Sequence, residues 1–167
     1  MLHIAICDDE KDFVQYLTDL LNQYSKETGR AIKITPYYDG MELIEKYDTT
    51  IDLIFLDIRM KLVNGLHAAE RIRQMDADVI LIFITNMAQY AIRGYSVGAL
   101  DYVLKPVPYF AFSQQLLKAV ARLEKRAKHY LTVPVEGYAL LTNPTNPGVK
   151  EPALWASLVA LMRSAEE

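Results

Sequence analysis

The chain opens Met1-Leu2-His3-Ile4-Ala5-Ile6-Cys7-Asp8-Asp9-Glu10-Lys11, an apolar run that stops at three acids. Apolar side chains that run almost without interruption, instead of alternating with polar ones, mark a strand covered on both faces by helices. Two more runs of this kind begin at Ile51 and Val79. Between the strands the period becomes helical, with Phe13, Leu17, Leu20, Leu21 and Tyr24, then Met41, Leu43, Ile44 and Tyr47, then Leu66, Ala69 and Ile72, and finally Phe112, Leu116, Val120 and Leu123. Strands are expected at residues 2–7, 32–37, 51–56, 79–84 and 100–104, and a weaker helix across residues 87–95, which Gly94 and Gly98 shorten. Five βα units in a row predict an α/β fold: one parallel sheet, helices on both faces, right-handed crossovers.

The 167 residues, 51% apolar and 23% charged, suffice for one well-buried domain and a remainder. The apolar runs are strand-length, well short of the roughly 20 residues of a membrane span, and no signal peptide is recognised, so a cytoplasmic location with no membrane partner is expected. The lone Cys7 sits inside an apolar run and reads as a small core side chain. Net charge is −3 but uneven: residues 1–117 carry 11 Lys and Arg against 16 Asp and Glu, while residues 118–130 carry five basic groups against Glu124. An acidic body is the wrong sign for a nucleic-acid surface, and the basic helix end reads as a solvated face.

In open α/β sheets the working site lies beyond the carboxyl ends of the strands. Asp8 and Asp9 end the first strand, Asp57 the third and Thr85 the fourth, and Lys105 follows the fifth. Any one of the Asp or Thr residues would make an ordinary helix N-cap. An acidic pair, a third Asp, a hydroxyl and a Lys at the ends of four strands are more than capping requires. Three carboxylates close together repel one another, and a divalent cation relieves the repulsion. All-oxygen ligands with open positions suit Mg²⁺: Asp9 and Asp57 directly, Asp8 mostly through water, and a backbone carbonyl near Arg59. Such an ion beside Lys105 and Thr85 is a phosphoryl site, with Asp57 on the central strand as nucleophile. Neither a Walker P-loop nor a G-x-G-x-x-G fingerprint is present.

The segments I-A-I-C-D-D-E (4–10), L-I-F-L-D-I-R-M (53–60) followed by Gly65, I-F-I-T-N (82–86) and A-L-D-Y-V-L-K-P (99–106) together resemble the receiver domain of two-component response regulators, over about residues 1–125. The stretch Y-A-I-R-G-Y-S-V-G-A-L-D-Y-V-L-K-P (90–106) resembles in particular the LytTR (LytR/AlgR) class of transcriptional regulators, here with the DNA-binding domain truncated or missing. The resemblance implies a (βα)5 flavodoxin-like fold with strand order 2-1-3-4-5 and a short C-terminal extension. It implies Asp57 as phospho-acceptor, Asp8 and Asp9 as the acidic pair at Mg²⁺, Thr85 as switch hydroxyl, Tyr102 as switch aromatic, Lys105 as the phosphate-contacting lysine, and a cis Lys105–Pro106 bond. It further implies a histidine kinase as donor, a homodimer through the face of the fourth helix, fifth strand and fifth helix, and DNA as partner only where the parent has a complete output domain. His3, His67 and His129 have no expected part in the relay.

The expected division is a receiver over residues 1–128 and a tail over residues 129–167. H-Y-L-T-V-P-V-E-G-Y-A-L-L (129–141) reads as two short strands about a Glu-Gly turn and resembles the first hairpin of a LytTR DNA-binding domain. Residues 142–152 read as irregular turn and residues 153–162 as an apolar helix with Trp155, Leu158 and Leu161. This tail is too short and too acidic for an intact DNA-reading domain, whether it reflects truncation, a native fragment or fused sequence. Two other readings compete: a stand-alone receiver used for docking or dimerisation, and a haloacid-dehalogenase-like phosphatase. The latter wants Asp-x-Asp after its first strand, where this chain has Asp8 and Asp9 adjacent.

Overall fold

The computed structural model describes residues 1–127, 131–135 and 138–142. The chain divides into two compact units, Met1–Ala121 and Arg122–Glu167.

In the first unit the strands β1 (Leu2–Cys7), β2 (Ile32–Tyr37), β3 (Leu53–Leu56), β4 (Ile80–Thr85) and β5 (Asp101–Leu104) alternate with the helices α1 (Lys11–Thr28), α2 (Gly40–Glu45), α3 (Gly65–Met75), α4 (Ala91–Ser96) and α5 (Tyr109–Ala127), the last running on into the second unit. All neighbouring strands pair in parallel, in the order β2-β1-β3-β4-β5. This is the expected flavodoxin-like α/β sheet.

Every residue of β1, β3 and β4 is buried, as their unbroken apolar sequences require. Ala5, Cys7, Ile54, Leu56, Leu81 and Phe83 share one core with Leu43 of α2 and Leu66, Ala69 and Ile72 of α3. The alternate set faces the other layer, where the ring of Phe55 lies 5.0 Å from that of Phe112 on α5. Fully burying a side chain of this size is worth roughly 1.5–3 kcal/mol, so these strands are held from both sides.

The boundaries move where hydrogen bonding overrides the apolar pattern. β3 begins at Leu53, not Ile51, because Asp52 is engaged at the entry: its carboxylate accepts from the His3 amide at 2.8 Å. The weak helix expected over 87–95 is a 3-10 turn, Ala88–Tyr90, followed by the six-residue α4. Gly98, at φ +67, follows two residues after α4 in a left-handed conformation that favours glycine. Phe13, counted above with the apolar face of α1, is only half-buried, and the buried face runs through Val14, Leu17, Leu20, Leu21 and Tyr24. Likewise Met41 is 43% exposed while Leu43 is buried. His3 is not idle: it is buried, its ring nitrogens 2.9 Å from the Thr50 hydroxyl and 2.8 Å from that of Thr35.

In the second unit, β6 (Leu131–Val135) and β7 (Tyr138–Thr142) form an antiparallel pair, Val135 opposite Tyr138 and Leu131 opposite Thr142. The helix expected over residues 153–162 lies outside the described residues.

Candidate functional site

Strand register builds the site. Cys7 of β1 pairs with Leu56 of β3, and the Asp57 amide donates to the Cys7 carbonyl at 2.9 Å, so Asp8 and Asp57 leave neighbouring strands side by side. On the other flank Thr85 pairs with Leu104, and the Lys105 amide donates to the Thr85 carbonyl at 3.0 Å. The Lys105–Pro106 peptide bond is cis.

Asp8, Asp9 and Asp57 each offer a carboxylate oxygen, all within 4.8 Å of one another. Lys105 Nζ is 2.7 Å from Asp8 Oδ2 and 3.6 Å from Asp57 Oδ2, with side-chain exposures of 7%, 2% and 6% for the three groups. Asp9 is more open, and exposed Lys61 approaches it at 3.9 Å. Three carboxylates against one buried ammonium leave an excess of negative charge in a nearly dry place. The donor set is all oxygen, which suits a small hard cation such as Mg²⁺. Burial pushes the Asp8 carboxyl above its usual value, and the Asp57 charge adds to this; the Lys105 ammonium and the Glu10 amide, which donates to Oδ1 at 2.9 Å, pull the other way.

These acids are not helix caps. The N-cap of α1 is Glu10, and α3 is capped by Asn64, whose side chain accepts from the His67 amide at 2.9 Å. Asp57 Oδ1 accepts instead from its neighbour's amide, Ile58 N, at 2.7 Å. Thr85 is fully buried at the end of β4, with the Met87 amide 3.4 Å from its hydroxyl. Arg59 is exposed in the β3–α3 loop. Tyr102, half-buried on β5, does not join the carboxylates; its hydroxyl donates to the Met87 carbonyl, and its ring lies 6.0 Å from that of Phe83. Burial, and then the Asp57 charge, raise the Tyr102 phenol above its ordinary value.

Several supporting residues carry no chemical motif. Asp39 caps α2 through the Met41 amide at 2.8 Å and also reaches across to the β3–α3 loop, accepting from Leu62 N at 2.9 Å and Val63 N at 3.3 Å. Its sequence signal was an Asp one residue before a helix. At Gly65 a Cβ would lie 1.9 Å from the Asp57 carbonyl oxygen, so only glycine lets α3 start against the backbone of Asp57. Arg73 of α3 donates to the Val97 carbonyl at 2.8 Å and to that of Val79 at 2.6 Å, tying the end of α4 to the start of β4. Cys7 is buried, and burial first, then surrounding acids, raise its thiol far above the ordinary range. Among the described residues no helix is long and apolar enough to cross a membrane.

The family model described as "Response regulator receiver domain" matches residues 4–134. The chain is 31% identical over 153 residues to the sensory transduction protein LytT of Enterococcus faecalis, covering 92% of this chain and 57% of that one. It is 34% identical over 121 residues to LytT of Bacillus subtilis, covering 71% and 48%. The chain spans about half the length of the curated relatives it matches. Among solved structures, the response regulator protein TrrA of Thermotoga maritima, in complex with Mg(2+)-BeF, superposes with a TM-score of 0.62 at 25% identity, over 71% of this chain and 99% of that one. With that match across most of its length, the chain belongs to the response regulator receiver domain family and is a signalling receiver of the two-component type.

Proposed function

We propose that the domain accepts a phosphoryl group on Asp57 from a phosphohistidine of a cognate histidine kinase, that Asp8, Asp9 and Asp57 hold Mg²⁺ for the reaction, and that the parent protein is a cytoplasmic LytTR-type transcriptional regulator. One observation carries the reading: three carboxylates within 4.8 Å of one another, with the Lys105 ammonium 2.7 and 3.6 Å from two of them. When bound, the cation would neutralise charge on the transferring phosphoryl oxygens. The backbone carbonyl of Arg59 would complete its protein ligands.

The chain's own groups do the rest. An Asp57 oxygen attacks phosphorus; the P–N bond to imidazole breaks, its electron pair stays on nitrogen, and a P–O bond forms. In the reverse sense of function, water attacks the same phosphorus and the Asp57 carboxylate leaves, so the domain catalyses both its labelling and its own hydrolysis. Lys105, already facing Asp57, pairs with the new phosphoryl oxygens. The Thr85 hydroxyl donates to one of them, which draws the loop of Met87 inward and changes the partner of the Tyr102 hydroxyl. The face of α4, β5 and α5 is thereby altered for a second copy or an output domain. A shift of a few kcal/mol is enough to invert such an equilibrium.

The test is incubation with acetyl phosphate and Mg²⁺. Wild type takes a stable label that chelation of the metal prevents, and Asp57→Asn takes none; a label that persists in the variant refutes the assignment. Oligomer size with and without beryllofluoride then shows whether the α4, β5 and α5 face responds.

A further inference from the structure

We propose that α1 carries the device that positions the phosphate-contacting lysine: Phe13 roofs the Lys105 ammonium, and Tyr16, one turn on, holds the turn that bears it. This rests on the role given to Lys105 above. The ammonium has three hydrogens and no lone pair to spare. Asp8 takes it at 2.7 Å and Asp57 faces it at 3.6 Å, while the third neighbour is an aromatic face, the ring centroid of Phe13 lying 4.0 Å from Nζ. That is well within the range at which a ring quadrupole attracts a cation, and the attraction grows where water is kept out. Here the lysine side chain is only 7% exposed.

The second hold is on the backbone. The Tyr16 hydroxyl donates to the Val107 carbonyl at 2.8 Å, two residues beyond Lys105, and the rings of Tyr16 and Phe13 lie 5.9 Å apart. Residues three apart on a helix share a face, so one turn of α1 grips both the tip of the lysine and the loop behind it. A four-carbon stem with free rotamers would otherwise have to be ordered at the moment of reaction. Neither aromatic touches the reacting atoms; both are positioning residues, and the task accounts for a half-buried aromatic at Phe13 beside the lysine.

The experiment compares Phe13→Leu, Phe13→Tyr and Tyr16→Phe in the full chain by two readouts. In proton–carbon NMR, the Lys105 ε-methylene protons are expected upfield in wild type, in Phe13→Tyr and in Tyr16→Phe, and at ordinary positions in Phe13→Leu. The rate constant of labelling by acetyl phosphate with Mg²⁺ is expected to fall about tenfold in Phe13→Leu, to stay within about twofold in Phe13→Tyr, and to fall about threefold in Tyr16→Phe. An upfield shift that survives in Phe13→Leu overturns the proposal, as does a Phe13→Leu protein that loses the shift yet labels at the wild-type rate. Should Phe13→Leu fail to fold, Phe13→Met, also without a ring, takes its place. If wild type itself takes no label, the Asp57 reading fails, and the lysine shift alone decides this inference.

Discussion

The carboxylate end of β1 and β3 and the β5 edge with α4 are two halves of one sheet built to different standards. Asp8 and Asp57 extend strands in which every residue is buried, on a sheet interior packed from both sides. Tyr102 sits on a four-residue edge strand with no fully buried member, next to a six-residue helix, and Leu104 on that strand is 49% exposed. Burial of apolar area sets how much free energy resists a local rearrangement. The first half can hold charges in a geometry that costs desolvation; among the described residues the second is anchored by polar contacts at its surface, the Tyr102 hydroxyl on Met87, the Lys118 ammonium on Asp101 and the Arg73 guanidinium on the carbonyls after α4. The reaction and response proposed above would draw on this asymmetry, a fixed place to react and an exposed edge to answer.

The sharpest way to break the contrast is a matched pair of glycine substitutions. In Gly65→Ala the new Cβ would lie 1.9 Å from the Asp57 carbonyl oxygen and 2.9 Å from its carbon, backbone atoms that cannot swing aside. Denaturant titration is expected to give a loss of at least about 3 kcal/mol, or no folded protein. In Gly94→Ala, inside α4, the Cβ meets the rings of Tyr102 and Phe83 at 3.1 and 3.2 Å, a smaller overlap. Alanine also recovers up to about 1 kcal/mol of helix propensity, so the net change is expected within about 1 kcal/mol. Equal costs at the two sites would erase the distinction between the halves.

Arg73→Ala sharpens it from the other side. Removing the guanidinium from the carbonyls of Val79, Val97 and Gly98 is expected to cost about 2 kcal/mol. Amide exchange should rise most around residues 91–99, beyond the uniform rise that the lost stability brings to β1 and β3. Protection lost evenly across the sheet would mean that the α4 edge is no softer than the rest.

The smallest effect is a pH dependence confined to the β5 edge. Burial raises the Asp101 carboxyl, but the Lys118 ammonium at 2.8 Å and the Tyr102 amide outweigh it, leaving it below its ordinary 3.8. A folded value below the unfolded one means stabilisation that is complete above about pH 4 and is lost as pH falls through the folded value. Thermal melts of Asp101→Asn should lack this acid-side slope and run lower at neutral pH by about 0.5 kcal/mol, the scale of a partly exposed ion pair, with Asp57 labelling unaltered.

Much of this architecture is legible in the sequence. Unbroken runs such as Ile4 to Cys7 and Leu53 to Leu56 identify central strands because a polar group between two helical layers is costly unless it is hydrogen-bonded, as His3 is to Thr35 and Thr50. Parallel strands then point their carboxyl ends the same way, which is why Asp8, Asp57, Thr85 and Lys105 could be assigned to one rim. Where reading stopped, the missing quantity was the angle at which one element meets another. Phe13 was indistinguishable from a core residue, since helical spacing gives the face but not what the end of that face rests on. Gly65 was seen only as part of a motif; that it touches the Asp57 carbonyl depends on how closely α3 approaches β3. Arg73 belongs to no motif, and its hold on Val97 exists only because the chain returns there 24 residues later.

The amino-acid sequence alone determined the layered α/β architecture and the set of charged groups at the strand ends, because hydrophobic period and chain order are local properties that every residue in a run votes on. Only the tertiary structure decided which of those groups share a proton's reach, which ring shields the lysine and which edge of the sheet is lightly held. Those depend on distances of a few ångströms between residues up to 97 positions apart, and such distances are fixed by the packing of whole elements, not by any stretch of chain that could be read on its own.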